Sequence, residues 1–213
     1  MREFLSPAAY IDSDHPAVIA FSGKNAIGET PLERAVSLYY AVRDGIRYNP
    51  FLDFSNDAAF RASQCIASGE GFCVGKAALL AACARADGVP ARVGFADVKN
   101  HLTTPRLAER MGTDLFVYHG FTELWLEGKW VKATPAFNLD LCRKFRVKPL
   151  EFDGRHDSIF HPFDADDRRH MEYVRDRGAY ADVPVEEIQR VFREAYPGLY
   201  KLGKDAAREA FSP

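Results

Sequence analysis

The sequence has no long apolar run, few cysteines and no surplus of positive charge, and each absence excludes a class of protein. The longest strongly apolar run covers residues 77–84, whereas a helix that spans a bilayer needs about 20 apolar residues. The N-terminal segment has no apolar core and carries Asp12, Asp14 and Pro16, so it does not resemble a signal peptide. The 28 basic residues are balanced by 30 acidic ones, whereas nucleic-acid-binding proteins are commonly rich in basic residues. We therefore expect neither a membrane nor a nucleic acid as a partner.

Four cysteines are too few for a disulfide scaffold in a chain of 213 residues. Cys65, Cys73, Cys83 and Cys142 form no C-x-x-C pair, and no histidine lies at zinc-finger spacing from any of them. The sequence therefore predicts no metal, no cofactor and a reducing, cytoplasmic environment. A metal site built from Cys65, Cys73 and a histidine is an alternative, and stoichiometric metal in the purified protein would indicate it.

Two helices are marked by capping signals and by hydrophobic periodicity. The first helix is predicted to begin with a capping box, formed by Thr30 and Glu33, and with Pro31 in its first turn. It is predicted to end at residues 44–45. A second helix is predicted over residues 73–87, and it is apolar on nearly every side. Such a pattern is typical of a helix buried in the core. The segment between these two helices is predicted to be irregular.

Strand signals follow the second helix. Segments rich in β-branched and aromatic residues predict strands over residues 91–98, 116–126 and 130–136. The turn residues between the last two predict a hairpin. Because helices precede strands instead of alternating with them, we expect an α+β fold.

The length of the chain suits one domain. We expect a core over residues 30–150, an N-terminal extension over residues 1–29 and a C-terminal extension over residues 151–213 that packs on the core. The C-terminal extension contains an Asp- and His-rich segment, which we interpret as solvated surface, and a helix over residues 186–196.

Cys73 is the one cysteine placed where a thiolate can form. It follows a glycine-rich loop at residues 69–71 and begins the buried helix. A helix N-terminus lowers the pKa of a thiol, and its backbone N–H groups can hold an oxyanion during acyl transfer. Cys83, deep in the apolar helix, fits a structural role better, as do Cys65 and Cys142.

His119 is the best candidate for the base that a nucleophilic cysteine requires. It lies in a predicted strand beside Gly120, and a glycine in a strand often permits the close approach of another backbone or a ligand. The other five histidines lie in loops, in polar segments or near the N-terminus. A purely structural role for His119 remains the alternative.

Three segments resemble the transglutaminase-like superfamily. Residues 71–77, Gly-Phe-Cys-Val-Gly-Lys-Ala, resemble its nucleophile motif, and residues 119–131 resemble its histidine strand and the strand that follows. Residues 36–49 are similar to the helix that precedes its catalytic core. The resemblance covers residues 30–138 and implies a papain-like fold, in which a buried helix with the cysteine at its N-terminus packs on an antiparallel sheet that carries the histidine.

One position departs from the superfamily pattern, which has an aspartate before a proline in the strand after the histidine. Here Thr134 occupies that position. If residues 127–128 form the hairpin tip, Thr134 is the diagonal neighbour of His119 on the same face. If residues 128–129 form the tip, His119 opposes Asn138, which could orient an imidazole as asparagine does in papain-like proteases.

The sequence thus predicts a Cys-His enzyme that transfers acyl groups from amide bonds through a thioester, as a cysteine protease, an amidase or a transamidase. Cys73 would attack the carbonyl, His119 would carry the proton, and Thr134 or Asn138 would orient the imidazole. The expected substrate is a peptide or a small amide. The alternative is a catalytically degenerate protein that keeps the fold and binds peptides or serves as a scaffold.

Overall fold

The fold is described from a computed structural model, which describes residues 1–100, 107, 109, 111–159 and 171–198. The α-helices are α1 (Pro16–Asn25), α2 (Pro31–Gly45), α3 (Ala62–Ser68), α4 (Cys73–Ala86), α5 (Leu139–Phe145) and α6 (Val185–Ala195). The strands are β1 (Arg47–Tyr48), β2 (Glu70–Gly71), β3 (Ala91–Asn100), β4 (Leu115–Leu126), β5 (Lys129–Ala133) and β6 (Met171–Tyr180).

A four-stranded antiparallel sheet in the order β5-β4-β3-β6 forms one layer of the molecule. Helix α4 packs against β4 and β3, and the helices α1, α2 and α3 surround it on its other sides. A short parallel pair, β1 with β2, lies immediately before α4. The predicted α+β class and the buried second helix are confirmed.

The composition of α4 explains its central position. Every residue from its first to Arg85 is buried, and most of them are alanine, glycine, leucine, valine or cysteine. Small side chains allow neighbouring elements to approach on all sides. The helix therefore presents no solvated face, and its N-terminal residue is fixed by the elements around it.

The two local signals that defined α2 and the hairpin are both confirmed. The Thr30 hydroxyl accepts from the Glu33 N–H at 3.2 Å, and the Glu33 carboxylate accepts from the Thr30 N–H at 3.0 Å. In the hairpin, Leu126 pairs with Lys129, so residues 127–128 form the tip. Both tip residues have positive φ, as the common two-residue hairpin turns require.

Other elements differ from the expectations. The sequence does not predict helices α1, α3 and α5 or strands β1, β2 and β6, and β5 ends at Ala133 instead of residue 136. The segment between the two predicted helices is therefore not wholly irregular, because it contains β1, α3 and β2. Helix α1, in the predicted N-terminal extension, packs on α4, and β6, in the predicted C-terminal extension, pairs with β3. The domain boundaries themselves stay a prediction. The predicted loop at residues 99–114 and the Asp- and His-rich segment lie partly outside the described residues.

Within the part of the chain that the structure describes, no helix is both long enough and apolar enough to cross a membrane.

Candidate active site

Cys73 is the first residue of α4, and the chain around it is closely packed. Its side chain is buried but remains 8% exposed, more than that of Cys65, Cys83 or Cys142. A Cβ atom at Gly71 would lie 2.9 Å from the Cys65 sulfur, so only glycine fits there. Gly71 therefore packs against Cys65 and Lys76 directly before the start of the cysteine helix.

His119 lies on β4, opposite Ala96 of β3, and is 4% exposed. The next residue, Gly120, touches the start of α4. A Cβ atom at Gly120 would lie 2.9 Å from the Cα of Val74 and 3.3 Å from the carbonyl carbon of Cys73. The sequence predicts a close approach at Gly120, and the structure shows that it is made with the backbone of α4, the helix that begins at Cys73.

Cys73 and His119 line the same narrow cleft, whose free volume of about 40 Å³ has room for only a few water molecules. Among the described residues that line it, none carries a carboxylate, ammonium or guanidinium group. The aromatic lining consists of Tyr48, Phe54, Phe72, Phe116, Phe192 and Tyr196. The cleft therefore offers two polar, reactive groups within apolar walls.

Burial and backbone hydrogen bonds act in opposite directions on the Cys73 thiol. Burial raises its pKa to about 11, whereas hydrogen bonds from the backbone N–H groups of Gly120, Val74 and Cys73 itself lower it. Burial is the larger effect, so the thiol on its own is protonated at neutral pH. Reaction at neutral pH therefore requires a base to take the proton.

A β-bulge lies directly beside His119. Ala96 pairs with His119 and Val98 pairs with Phe116, so Val117 and Tyr118 together face one residue of β3. Tyr118 has a φ of 52°, which costs a residue other than glycine about 1–3 kcal/mol and requires compensation elsewhere. Bulges redirect side chains and are frequent next to active sites.

Thr134 is the first residue after β5, the strand that follows the histidine strand β4 in the hairpin. The paired register of the hairpin ends at Thr122 and Ala133; continued beyond them, it would make Thr134 the diagonal neighbour of His119. Its side-chain oxygen is buried and, alone among such atoms in the described residues, has no hydrogen-bond partner. The structure therefore has no hydrogen bond between Thr134 and His119, and the hydroxyl is an unused acceptor.

Asn138 lies in a different position from the one that the second hairpin register required. That register, with the tip at residues 128–129, is wrong, because Leu126 pairs with Lys129. Asn138 precedes α5, and its Oδ1 accepts from the Tyr48 N–H at 3.2 Å. Its side chain therefore fixes a backbone group in the cleft wall.

Lys76, one turn after Cys73, is fully buried and does not reach the cleft. Its Nζ donates to the carbonyl oxygens of Arg43 at 2.9 Å and Ile46 at 2.6 Å, at the end of α2. Burial lowers its pKa to about 7. The lysine connects two helices, as a buried amino group with two acceptors can do.

Two histidines outside the cleft have local partners. His15 accepts from the Ala17 N–H at 3.2 Å and caps α1, and His156 pairs with Asp153 at 2.7 Å on the surface. Histidines 101, 161 and 170 lie outside the described residues. In the described part of the chain, no group of three or more His, Cys, Asp or Glu residues has metal-binding geometry.

A model of the transglutaminase-like superfamily matches residues 22–135, which is more than half of the chain. The chain belongs to the transglutaminase-like superfamily. Both Cys73 and His119 lie within the matched region, and the fold is the papain-like fold that the sequence resemblance implied. Membership supports a coarse cysteine-protease-like function for this superfamily member.

Two further comparisons add little about function. A crystal structure of a candidate cysteine protease from Cytophaga hutchinsonii is similar to this superfamily member, with 18% identity and a TM-score of 0.47. The similarity covers 83% of this chain and 53% of that one, so this chain spans about half of that protein's length. A comparison with curated protein sequences finds no match.

Proposed function

We propose that the protein is a Cys-His enzyme that transfers an acyl group from an amide, with Cys73 as nucleophile and His119 as general acid and base. The observation that carries the proposal is the shared cleft, in which α4 and β4 bring the only cysteine and the only histidine of its described lining together. The contact between Gly120 and the start of α4 supports it, because it fixes the histidine strand against the cysteine helix.

The reaction begins with transfer of the thiol proton from Cys73 to His119 as the sulfur attacks the amide carbonyl. The new S–C bond gives a tetrahedral oxyanion, which backbone N–H groups at the start of α4 can stabilise. The C–N bond then breaks, and His119 gives its proton to the leaving amine. Attack on the thioester by water gives a carboxylic acid, and attack by an amine gives a new amide. Either route returns the thiol.

The cleft favours a substrate with an apolar group beside the reacting amide. Its described walls carry aromatic and aliphatic side chains and no charged group. Transfer of an ionised side chain into such walls would be unfavourable without a partner. We therefore propose a peptide or small amide with an uncharged acyl side chain, within a cytoplasmic setting.

The alkylation of Cys73 tests the proposed pair without a known substrate. A buried thiol with a pKa of about 11 and no partner reacts about tenfold faster for each pH unit as the pH rises toward that value. If His119 holds the proton, we expect iodoacetamide to label wild-type Cys73 already at about pH 6. His119→Ala should lower that rate by at least about 100-fold and leave only the steep rise at high pH.

Peptide-resolved mass spectrometry separates Cys73 from the other cysteines, which are all more deeply buried. His156→Ala is a matched control, because that histidine pairs with Asp153 on the surface. Identical profiles for wild type and His119→Ala would contradict the proposed pair.

The second candidate function is a catalytically degenerate protein that binds a peptide. Two observations favour it: a threonine at the position of the superfamily's aspartate and a thiol whose pKa is raised by burial. Cys73 that reacts only well above neutral pH, in wild type and His119→Ala alike, would favour this function.

Thr134 is the third residue that we propose as the partner of the imidazole. The hairpin register and the unused hydroxyl support it, whereas the side-chain Oδ1 of Asn138 already accepts from the Tyr48 N–H. We expect Thr134→Asp to raise the pKa of His119, because a nearby negative charge favours the imidazolium. A more stable imidazolium keeps Cys73 ionised at lower pH, so alkylation should extend by about one pH unit toward acid.

Thr134→Val is the matched control, since removing a hydroxyl with no partner should change the free energy of unfolding by less than about 1 kcal/mol. If Thr134→Asp destabilises the hairpin without changing the profile, and Asn138→Ala slows alkylation more than Thr134→Val, then Asn138 is the orienting residue. If neither Asn138→Ala nor Thr134→Val affects the profile, the site works as a Cys-His dyad.

A further inference from the structure

The bulge beside His119 leaves two backbone N–H groups of β4 without a partner in the sheet. Side chains from distant parts of the chain accept from both of them. The Tyr118 N–H donates to Oδ1 of Asp97 at 3.0 Å, and the Val117 N–H donates to the hydroxyl of Tyr196 at 2.5 Å. The same hydroxyl donates to the Leu115 carbonyl at 3.0 Å. Asp97 therefore holds the backbone of the bulge at Tyr118, and Tyr196 holds it at Val117.

Asp97 is itself held by Arg177 of β6. The guanidinium donates from Nε and Nη2 to the Asp97 carboxylate at 2.8–3.0 Å, and the Asp97 side chain is only 6% exposed. The guanidinium carbon of Arg177 also lies 4.7 Å from the centre of the Tyr118 ring. One carboxylate thus accepts both from the strained Tyr118 N–H and from a paired cation.

Arg177 belongs to a strand outside the superfamily match, which ends at residue 135. β6 pairs with β3 at the edge of the sheet, and the Arg177 side chain reaches across to the Tyr118 ring on the histidine strand. The fixed geometry of a buried carboxylate and a guanidinium fork can maintain a strained backbone conformation.

We infer that Asp97 and Arg177 are positioning residues: they hold the bulge at residues 117–118 and thereby direct the His119 imidazole toward Cys73. The inference rests on the proposed function, since it assigns these residues a role through His119. Neither residue lines the cleft, so they act on the histidine through the backbone. A displacement of about 1 Å at a reacting group can slow a reaction about 100-fold.

The test is the pH profile of Cys73 alkylation by iodoacetamide, from about pH 5 to about pH 10. Asp97→Ala removes the acceptor of the Tyr118 N–H and should lower the rate at about pH 6 by about 10- to 100-fold. The rate at about pH 10 should stay near that of wild type, because the free thiolate needs no imidazole. Asp97→Asn keeps an oxygen for the Tyr118 N–H and should recover most of the rate.

Glu123→Ala is the matched control. Glu123 of β4 pairs with Arg92 of β3, beyond the bulge that these two strands form. The exposed side-chain fractions of this pair, 7% and 25%, are close to the 6% and 16% of Asp97 and Arg177. We expect its loss to destabilise the protein without changing the alkylation profile. If Asp97→Ala does not fold, Arg177→Gln at the sheet edge replaces it in the test. We expect Arg177→Gln to lower the alkylation rate of Cys73 at about pH 6 by about threefold to tenfold.

The outcomes separate the inference from the function on which it rests. If His119→Ala changes the profile but folded Asp97→Ala or Arg177→Gln retains that of wild type, these residues are only structural and the inference is overturned. If Glu123→Ala changes the profile as much as Asp97→Ala, the effect is general destabilisation and the inference is likewise overturned. If His119→Ala leaves the profile unchanged, the proposed function fails and the inference fails with it.

Discussion

Cys73→Ala is expected to abolish amide turnover completely while the protein stays folded. The change removes the proposed nucleophile, so no thioester can form. It deletes one small side chain at a helix end, so the free energy of unfolding should change by no more than about 1–2 kcal/mol. The measurement is a screen of amide substrates with apolar, polar and charged acyl side chains, run on wild type and variant beside thermal unfolding.

The wild-type enzyme should prefer apolar acyl groups, because the described walls of the cleft carry no charged side chain. A preference for charged acyl groups would contradict the proposed substrate class and leave the role of Cys73 intact. The two results are therefore separable in one screen.

Cys83→Ser is the matched control for the nucleophile. Cys83 is fully buried in the same helix, so a hydroxyl there should cost about 1–3 kcal/mol of stability, while the folded fraction keeps its turnover. Activity losses that track the amount of unfolded protein equally in both variants would contradict the assignment of Cys73.

Local chemistry made α2 and the hairpin predictable. The capping box uses residues three apart, and the two-residue tip at residues 127–128 fixes the register of the strands that it joins. The buried α4 was predictable as well, because its small apolar residues leave no polar face. In each case the signal lies within the element that it predicts.

The missed elements depend on distant partners. Strand β6 is an edge strand with four charged residues among its ten, and most of its residues are exposed. Its sequence therefore lacks the apolar alternation of a strand that covers a core. Helix α1 spans only ten residues and begins at Pro16 behind a histidine cap. Its apolar face is weakly separated, because Ser22 is buried with Val18 while Ile19 is exposed. Tertiary packing selects both structures.

The candidate site was predictable in its two main residues but not in what holds them. Cys73 and His119 carry motif signals, whereas the bulge at Tyr118 has none, because its sequence lacks the glycine that a positive φ favours. The groups that satisfy it are 21 residues away at Asp97 and, for the neighbouring Val117, 79 residues away at Tyr196. No local pattern in the sequence connects residues at such separations.

Gly120→Ala is expected to impair the site and the fold together. Alanine can adopt the backbone conformation of Gly120, which has no positive φ, so the effect is steric. The new Cβ would lie 2.9 Å from the Val74 Cα, and a helix backbone cannot rotate away as a side chain can. Separating β4 from α4 should cost about 1–3 kcal/mol of stability and slow Cys73 alkylation at about pH 6 by about 100-fold.

Gly23→Ala is the control, because a Cβ at that position in α1 meets no atom within 4 Å. Alanine in a helix interior should stabilise the protein by about 0.5–1 kcal/mol and leave alkylation unchanged. The two variants add the same methyl group, so their difference isolates the contact between β4 and the start of α4. Wild-type stability and wild-type Cys73 reactivity in Gly120→Ala would mean that the histidine strand does not depend on this contact. The contact between Gly120 and α4 would then no longer support the proposed pairing of Cys73 and His119 in the cleft.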